Sequence, residues 1–144
     1  MRENVVIRTV SRLSIPFIQL FALYVIVHGA SGAGGGFQGG VVFAASFILM
    51  LIAFGLHGIR SRLREKGAVV LATTGLFIYA GIGLLCILFS GNFLGYAAIE
   101  AALGISHLHS FLIDLVEAGI GITVMAVMTS IILDFADKEG IRRD

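Results

Sequence analysis

Four long apolar stretches alternate with short polar segments along the chain: Leu13 to Val27, Phe37 to Leu56, Ala68 to Phe89 and Phe111 to Leu133. Charge interrupts only the last of them, at Asp114 and Glu117. Crossing ~30 Å of hydrocarbon at ~1.5 Å per residue takes about 20 residues in a helix, so the last three stretches suffice unaided. The first reaches a full span when extended back through Val5 to Arg12 and on to His28, with Arg8 and Arg12 snorkelling toward headgroups. Pro16 then lies inside that helix, where neighbouring helices must accept the carbonyl it frees. A cleaved signal peptide is the competing reading of this segment, with Ala30 to Ala33 as the small-residue region. Three further spans follow, and the expectation is a retained span.

The positive charges sharpen this picture. Arg2, Arg8 and Arg12 precede the first span, Arg60, Arg62, Arg64 and Lys66 lie between the second and third, and Lys138, Arg142 and Arg143 follow the fourth. Every one falls on the same side of a four-span chain, and omitting any span would destroy that segregation. The positive-inside rule predicts an all-α membrane protein with four transmembrane helices and both termini cytoplasmic. The predicted unit is one four-helix domain, residues 5–135, with a cytoplasmic tail, 136–144. On the opposite side lie Gly29 to Gly36 and Ser90 to Ser110, within which Tyr96 to Leu103 predicts a short interfacial helix carrying Glu100.

Composition agrees. Of 144 residues 58% are hydrophobic and 13% charged, against about 25% charged in soluble domains, and the mean hydropathy is +1.00. A net charge of +1 and no aromatic-interleaved basic stripe exclude nucleic acid as a partner. The single cysteine, Cys86, lies in an apolar run and reads as a small packed hydrophobe.

Glycine is the outlier, with 19 residues, seven of them within Gly29 to Gly40. Gly34, Gly36 and Gly39 formally spell GxGxxG. No strand precedes them and no acidic residue follows at the spacing a dinucleotide site needs, and without a following Lys a phosphate-binding P-loop is excluded too. Two physical roles remain open. Gly35/Gly39 and Gly36/Gly40 are small-xxx-small pairs that let another helix approach closely, and consecutive glycines permit a tight reversal whose N–H groups, at a helix start, suit an anion or water.

This run, His28-Gly-Ala-Ser-Gly-Ala-Gly-Gly-Gly-Phe-Gln-Gly-Gly40 continuing through Val41 to Gly55, resembles the MnhB/MrpB-like domain of the multisubunit Mrp-type Na⁺/H⁺ antiporters. The same domain occurs in related membrane-bound hydrogenase and sulfane reductase complexes. The similarity extends to Gly91-Asn-Phe-Leu94 and to Leu115-Val-Glu-Ala-Gly-Ile-Gly-Ile-Thr-Val124, and spans roughly Val5 to Phe135. The Gly34, Gly35, Gly36, Phe37, Gln38, Gly39, Gly40 core carries most of its specificity. The chain departs from the family's common pattern at Ala30 and Ala33, where a second His and a Pro are usual. The resemblance implies a non-catalytic membrane subunit of an antiporter, or of the antiporter module of a hydrogenase-type complex. Other membrane subunits would be its partners and Na⁺ and H⁺ the transported ions, with no cofactor, in the cell membrane.

Polar residues inside a bilayer are the default functional candidates. Asp114 and Glu117 stand about 4.5 and 9 Å along the fourth helix from Phe111, on one face, with Gly121 a turn beyond Glu117. Glu117 reads as a proton or Na⁺ relay, as a structural partner of a residue in another subunit, or as an exposed interfacial acid, and Asp114 as a helix-start acid favoured by the dipole or as a second relay. His28, beside the glycine reversal, is a relay or a loop hydrogen bonder. Gln19 and Gln38 suit interhelical hydrogen bonds, and Ser46, Thr73 and Thr74 can return hydroxyls to their own helices. His107 and His109 share a face only if extended, and no further metal ligands are evident beside them. His57 belongs with the basic loop as a topology and headgroup anchor. No nucleophile and base set or cofactor motif is present, so an enzyme is the least supported class. The alternatives to an ion-route subunit are a purely structural assembly subunit and a stand-alone homo-oligomeric exporter.

Overall fold

The computed structural model describes residues 5–29, 32–60, 65–90, 92–105 and 107–140. Ala30, Gly91 and the basic residues Arg2, Arg62, Arg64, Arg142 and Arg143 lie outside them. Five helices follow in order: α1 (Val5–Val27), α2 (Gly36–Arg60), α3 (Glu65–Ser90), α4 (Tyr96–Leu103) and α5 (Leu108–Gly140). All but α4 are long and apolar enough to cross a membrane. The first span is the full-length one that its N-terminal extension predicts, with Pro16 inside it. The short helix stands where the second outer loop predicts it. α5 outruns its apolar stretch, continuing as a polar helix to Gly140.

One break is absent from the hydropathy pattern. Gly55 in α2 has φ 73° and ψ −179°, so the helix is interrupted there and resumes through Arg60. That conformation is open to glycine and strained for an L side chain.

The long helices form a row, α1–α2–α5–α3, in which each packs chiefly on its neighbours and α5 meets both α2 and α3. Contacts along the row fix the directions. Arg8 and Arg12 near the start of α1 reach Phe54 near the end of α2, so these two run antiparallel. Gly40 meets Gly121 and Val124 while Arg60 pairs with Asp137, so α2 and α5 run parallel. The described basic residues Arg8, Arg12, Arg60, Lys66 and Lys138 therefore gather at one end of the row, and the 28–36 reversal and α4 lie at the other.

Apolar burial cannot drive helices together inside lipid, because the tails are as apolar as the side chains; close packing and interhelical hydrogen bonds do it instead. Small residues make that packing possible at every interface of the row. Between α1 and α2, a Cβ on Gly39 would lie 2.8 Å from the Ala22 carbonyl oxygen and would run into Ile26. Between α2 and α5, a Cβ on Gly40 would lie 2.7 Å from the Gly121 carbonyl oxygen. Between α3 and α5, a Cβ on Gly119 would stand 2.9 Å from the Gly75 carbonyl oxygen, and one on Gly75 would collide with Thr123. The Thr123 hydroxyl donates to Gly119 at 2.9 Å and lies 3.3 Å from the Ala72 carbonyl, tying α5 to α3.

Two apolar clusters close the ends of the row. Ile15, Met50, Ile59 and Leu133 form one at the basic end, and Ile82, Cys86, Ile99 and Val116 form the other, where α4 docks. Cys86 is fully buried there, the small packed hydrophobe its surroundings in the sequence predict. α4 stops at Gly104, whose left-handed backbone donates to the Glu100 carbonyl, and the Glu100 carboxylate accepts from the His109 backbone at 3.3 Å. Ser46, Thr73 and Thr74 return their hydroxyls to Phe43, Val69 and Val70, so none is spare. Outward faces carry large apolar groups such as Phe17, Phe77 and Leu88, the last 80% exposed, as a surface facing lipid or other subunits requires.

Replacing Gly75 by Leu should cost about 1–3 kcal/mol by forcing α3 from α5, read as a lowered melting temperature of the detergent-solubilised protein. Gly81→Ala, whose Cβ meets nothing within 4 Å, should leave it unchanged. Arg60 and Asp137 pair at 3.1 Å but are each nearly half exposed. Arg60→Gln should therefore cost under about 1 kcal/mol in the same assay.

Candidate functional site: a carboxylate in a glycine-walled recess

Glu117 stands nine residues into α5, about 14 Å along its axis at ~1.5 Å per residue. Opposite it the chain turns from α1 into α2, and the turn folds back on the end of α1. The His28 N–H donates to the Tyr24 carbonyl at 2.9 Å, that of Gly32 to His28 at 3.0 Å, and that of Gly35 to Val25 at 3.1 Å. Gly35 has φ 146°, so this position demands glycine. Its carbonyl accepts the first helical hydrogen bond of α2, from the Gly39 N–H at 3.0 Å. Gly34 is held on α1, where a Cβ would lie 2.6 Å from the Val25 carbonyl oxygen.

The turn thereby delivers bare backbone to Glu117 from three places. Gly36, the buried first residue of α2, packs on the Glu117 backbone; its Cβ would overlap the carbonyl and lie 3.0 Å from the Cα. A Cβ on Gly29 would overlap the carboxylate at Oε2 and approach the Gly35 Cα at 2.6 Å. Gly35 faces Oε1, with its Cβ position 4.0 Å away. Oε2 is buried with no hydrogen-bond partner among the described residues. The carboxylate also lies beside the N-terminal end of α2, where the helix dipole favours negative charge.

Of the residues singled out in the sequence, the structure joins Gly35 and Gly36 to Glu117. Gly39 and Gly40 serve helix packing, and Phe37 and Gln38 point outward, Phe37 being 63% exposed. Gly36 and Gly40 meet Glu117 and Gly121 on α5. Gly35/Gly39 does not act as a helical pair, because Gly35 belongs to the turn. Asp114 is exposed on the preceding turn of α5. The His28 ring stacks on Tyr24 at 5.1 Å and faces Gly32, with Nε2 3.1 Å from that residue's Cβ position. His109 Nδ1 lies 3.4 Å from the Glu100 carboxylate. Sequence reasoning passes over Gly29, whose contact with the carboxylate is as close as any in the recess. Its place at the start of the glycine run was the available signal, obscured because the motif it precedes begins five residues later.

The family described as a domain related to the MnhB subunit of Na⁺/H⁺ antiporters matches residues 6–130. Among curated proteins, one named "Putative antiporter subunit mnhB2" from Staphylococcus haemolyticus (strain JCSC1435) is 36% identical over 136 residues, covering 92% of this chain and 95% of the relative. Its namesake from Staphylococcus aureus (strain MRSA252) is 31% identical over 138 residues, covering 94% and 97%. Four membrane-length helices, the glycine reversal and near-complete coverage coincide, and the chain belongs to the family of domains related to the MnhB subunit of Na⁺/H⁺ antiporters.

Proposed function

We propose that this chain is a non-catalytic membrane subunit of a multisubunit Na⁺/H⁺ antiporter and that Glu117 is its cation- or proton-exchanging group. The observation that carries the reading is Oε2 of Glu117, buried against Gly29 with no hydrogen-bond partner among the described residues. A carboxylate oxygen taken out of water without a donor is costly, and proton or cation binding removes that cost. The groups that meet the carboxyl from the turn are backbone, and the start of α2 offsets part of its charge when no ion is bound. The names of the curated relatives support an antiporter subunit, and their coverage of the whole chain supports the same role here.

A single embedded carboxylate in the recess does not make a coupled exchanger, so partner subunits supply the rest of the route. Phe37 and Gln38, exposed in the first turn of α2, and the outward apolar faces of α1 and α3 are surfaces available to them. The antiporter-like module of a hydrogenase or sulfane reductase complex would use the chain in the same way, with redox chemistry in other subunits. Charge segregation supports placing the basic end, and with it both termini, in the cytoplasm and the recess toward the opposite face of the cell membrane.

Glu117→Gln keeps the shape of the side chain and removes its charge. The complex carrying it should assemble normally while Na⁺/H⁺ exchange in inverted vesicles falls at least about tenfold, in line with loss of a relay carboxyl. Unchanged exchange would leave the residue a structural role. For orientation, in a Cys86→Ser background a cysteine at Lys138 should react with an impermeant maleimide only after the cells are opened, and one at Gln38 in intact cells.

A further inference from the structure

Glu117 must meet water to exchange an ion, and its surroundings narrow the way out. The 28–36 turn lies against the carboxyl on one side. On the α3 side α4 docks over α5, with Ile99 packed in the cluster that holds Val116. Glu117 is nevertheless only half-buried as a residue, although its Oε2 is buried. Toward the start of α5 the next polar residue is Asp114, and Asp114 is exposed.

A helix-start role does not account for Asp114. The sequence allows an acid placed by the dipole, but α5 begins at Leu108 and no acidic residue lies in its first turn. Asp114 is the seventh residue of the helix, about 9 Å from its start at ~1.5 Å per residue. The favourable field of a helix end is confined to the first turn. No Lys or Arg of this chain accounts for it either, because residues 28–36, residues 90–110 and α5 before Lys138 contain none. The side chains of those segments that can become cationic are His28, His107 and His109. Of these, His28 stacks on Tyr24 and His109 faces Glu100. Phe111 and Leu115, one turn before Asp114 and next to it, are 61% and 37% exposed, part of the surface that faces lipid or other subunits. A carboxylate set among them is costly in hydrocarbon, so it marks a place where water or a polar partner enters.

Spacing ties Asp114 to Glu117. Residues three apart on a helix share a face with about 5–6 Å between Cβ atoms, and the two carboxyls interact electrostatically. One water molecule bridges polar groups set at such a separation. Asp114 carries the open carboxyl and Glu117 the enclosed one, an order that runs from solution to recess. On the reading of Glu117 as the exchanging carboxyl, on which this step rests, we propose that Asp114 is the solvent-side member of a two-carboxyl proton relay. Its carboxylate takes a proton from water at the α4 end of the row and passes it to the Glu117 carboxylate. Glu117 is then the protonated acid and Asp114 a carboxylate again; release runs through the same two groups in reverse.

Exchange is measured in inverted vesicles carrying the assembled complex, with subunit content read by native electrophoresis. Asp114→Asn should assemble and slow exchange about tenfold or more. It should leave the Na⁺ concentration at half-maximal rate unchanged and enlarge the solvent isotope effect in heavy water, because proton delivery becomes the slow step. Asp114→Glu, which keeps a carboxyl at this point, should exchange as the unsubstituted complex does. If Asp114→Asn does not assemble, Asp114→Ser is read in its place; if neither assembles, Asp114 is a subunit contact and the proposal fails. Exchange at the unsubstituted rate in Asp114→Asn beside an inactive Glu117→Gln overturns the relay and leaves the reading of Glu117 standing. A slowed Asp114→Asn with an unchanged isotope effect, or an equally slow Asp114→Glu, makes Asp114 structural and also overturns it. Exchange retained in Glu117→Gln removes the reading of Glu117, and the relay with it.

Discussion

The first turn of α2 lies directly on the backbone of α5, and the rest of the site depends on that approach. Gly36 meets the peptide of Glu117, and Gly40 meets that of Gly121 one turn on. A side chain at Gly36 or Gly40 would push the helices apart by more than the packing could absorb. Because the contact runs backbone to backbone, α2 reaches α5 early, at its own N-terminus, and the turn preceding it is pressed against the same region of α5. The Glu117 carboxyl then has glycine on the facing side.

Packing and chemistry are thus one feature here. Small-residue contacts recur at all three interfaces of the row, but only at the α2–α5 contact does an acidic side chain share the face with the glycines. Gly29 and Gly35 face the carboxylate and Gly36 the Glu117 peptide, none offering a side-chain donor, while the start of α2 offers a positive dipole. In the proposed reading that balance lets the group take up and release a cation or proton at modest cost.

Much of this was legible in the sequence, for identifiable reasons. Span lengths follow from hydropathy and the thickness of a bilayer, so the four long helices and the extension of α1 to Val5 could be read directly. The clustering of basic residues at one end was visible as charge segregation. α4 could be read because an apolar segment with turn residues on both sides fills a loop too long for a hairpin. The break at Gly55 could not: a lone glycine in an apolar run leaves open whether it packs, bends or does nothing. The assignment of Gly35 to the turn was hidden in the same way, since Gly35/Gly39 and Gly36/Gly40 are equivalent as patterns and only the start of α2 separates them. Glu117 stood out by its cost in lipid, whereas its meeting with Gly29 joins residues 88 positions apart, which no local pattern encodes. Arg8 and Arg12 read singly as anchors, and it took the antiparallel packing of α1 on α2 to bring both to Phe54.

The contact between Gly29 and the Glu117 carboxyl is the central claim, and a double-mutant cycle on stability tests it most directly. Gly29→Ala should destabilise the solubilised protein in the presence of the carboxyl and far less in a Glu117→Ala background, giving a coupling of about 1 kcal/mol or more. Additive effects of the two substitutions, with no coupling beyond error, would mean that the carboxyl does not occupy the recess and would contradict the account.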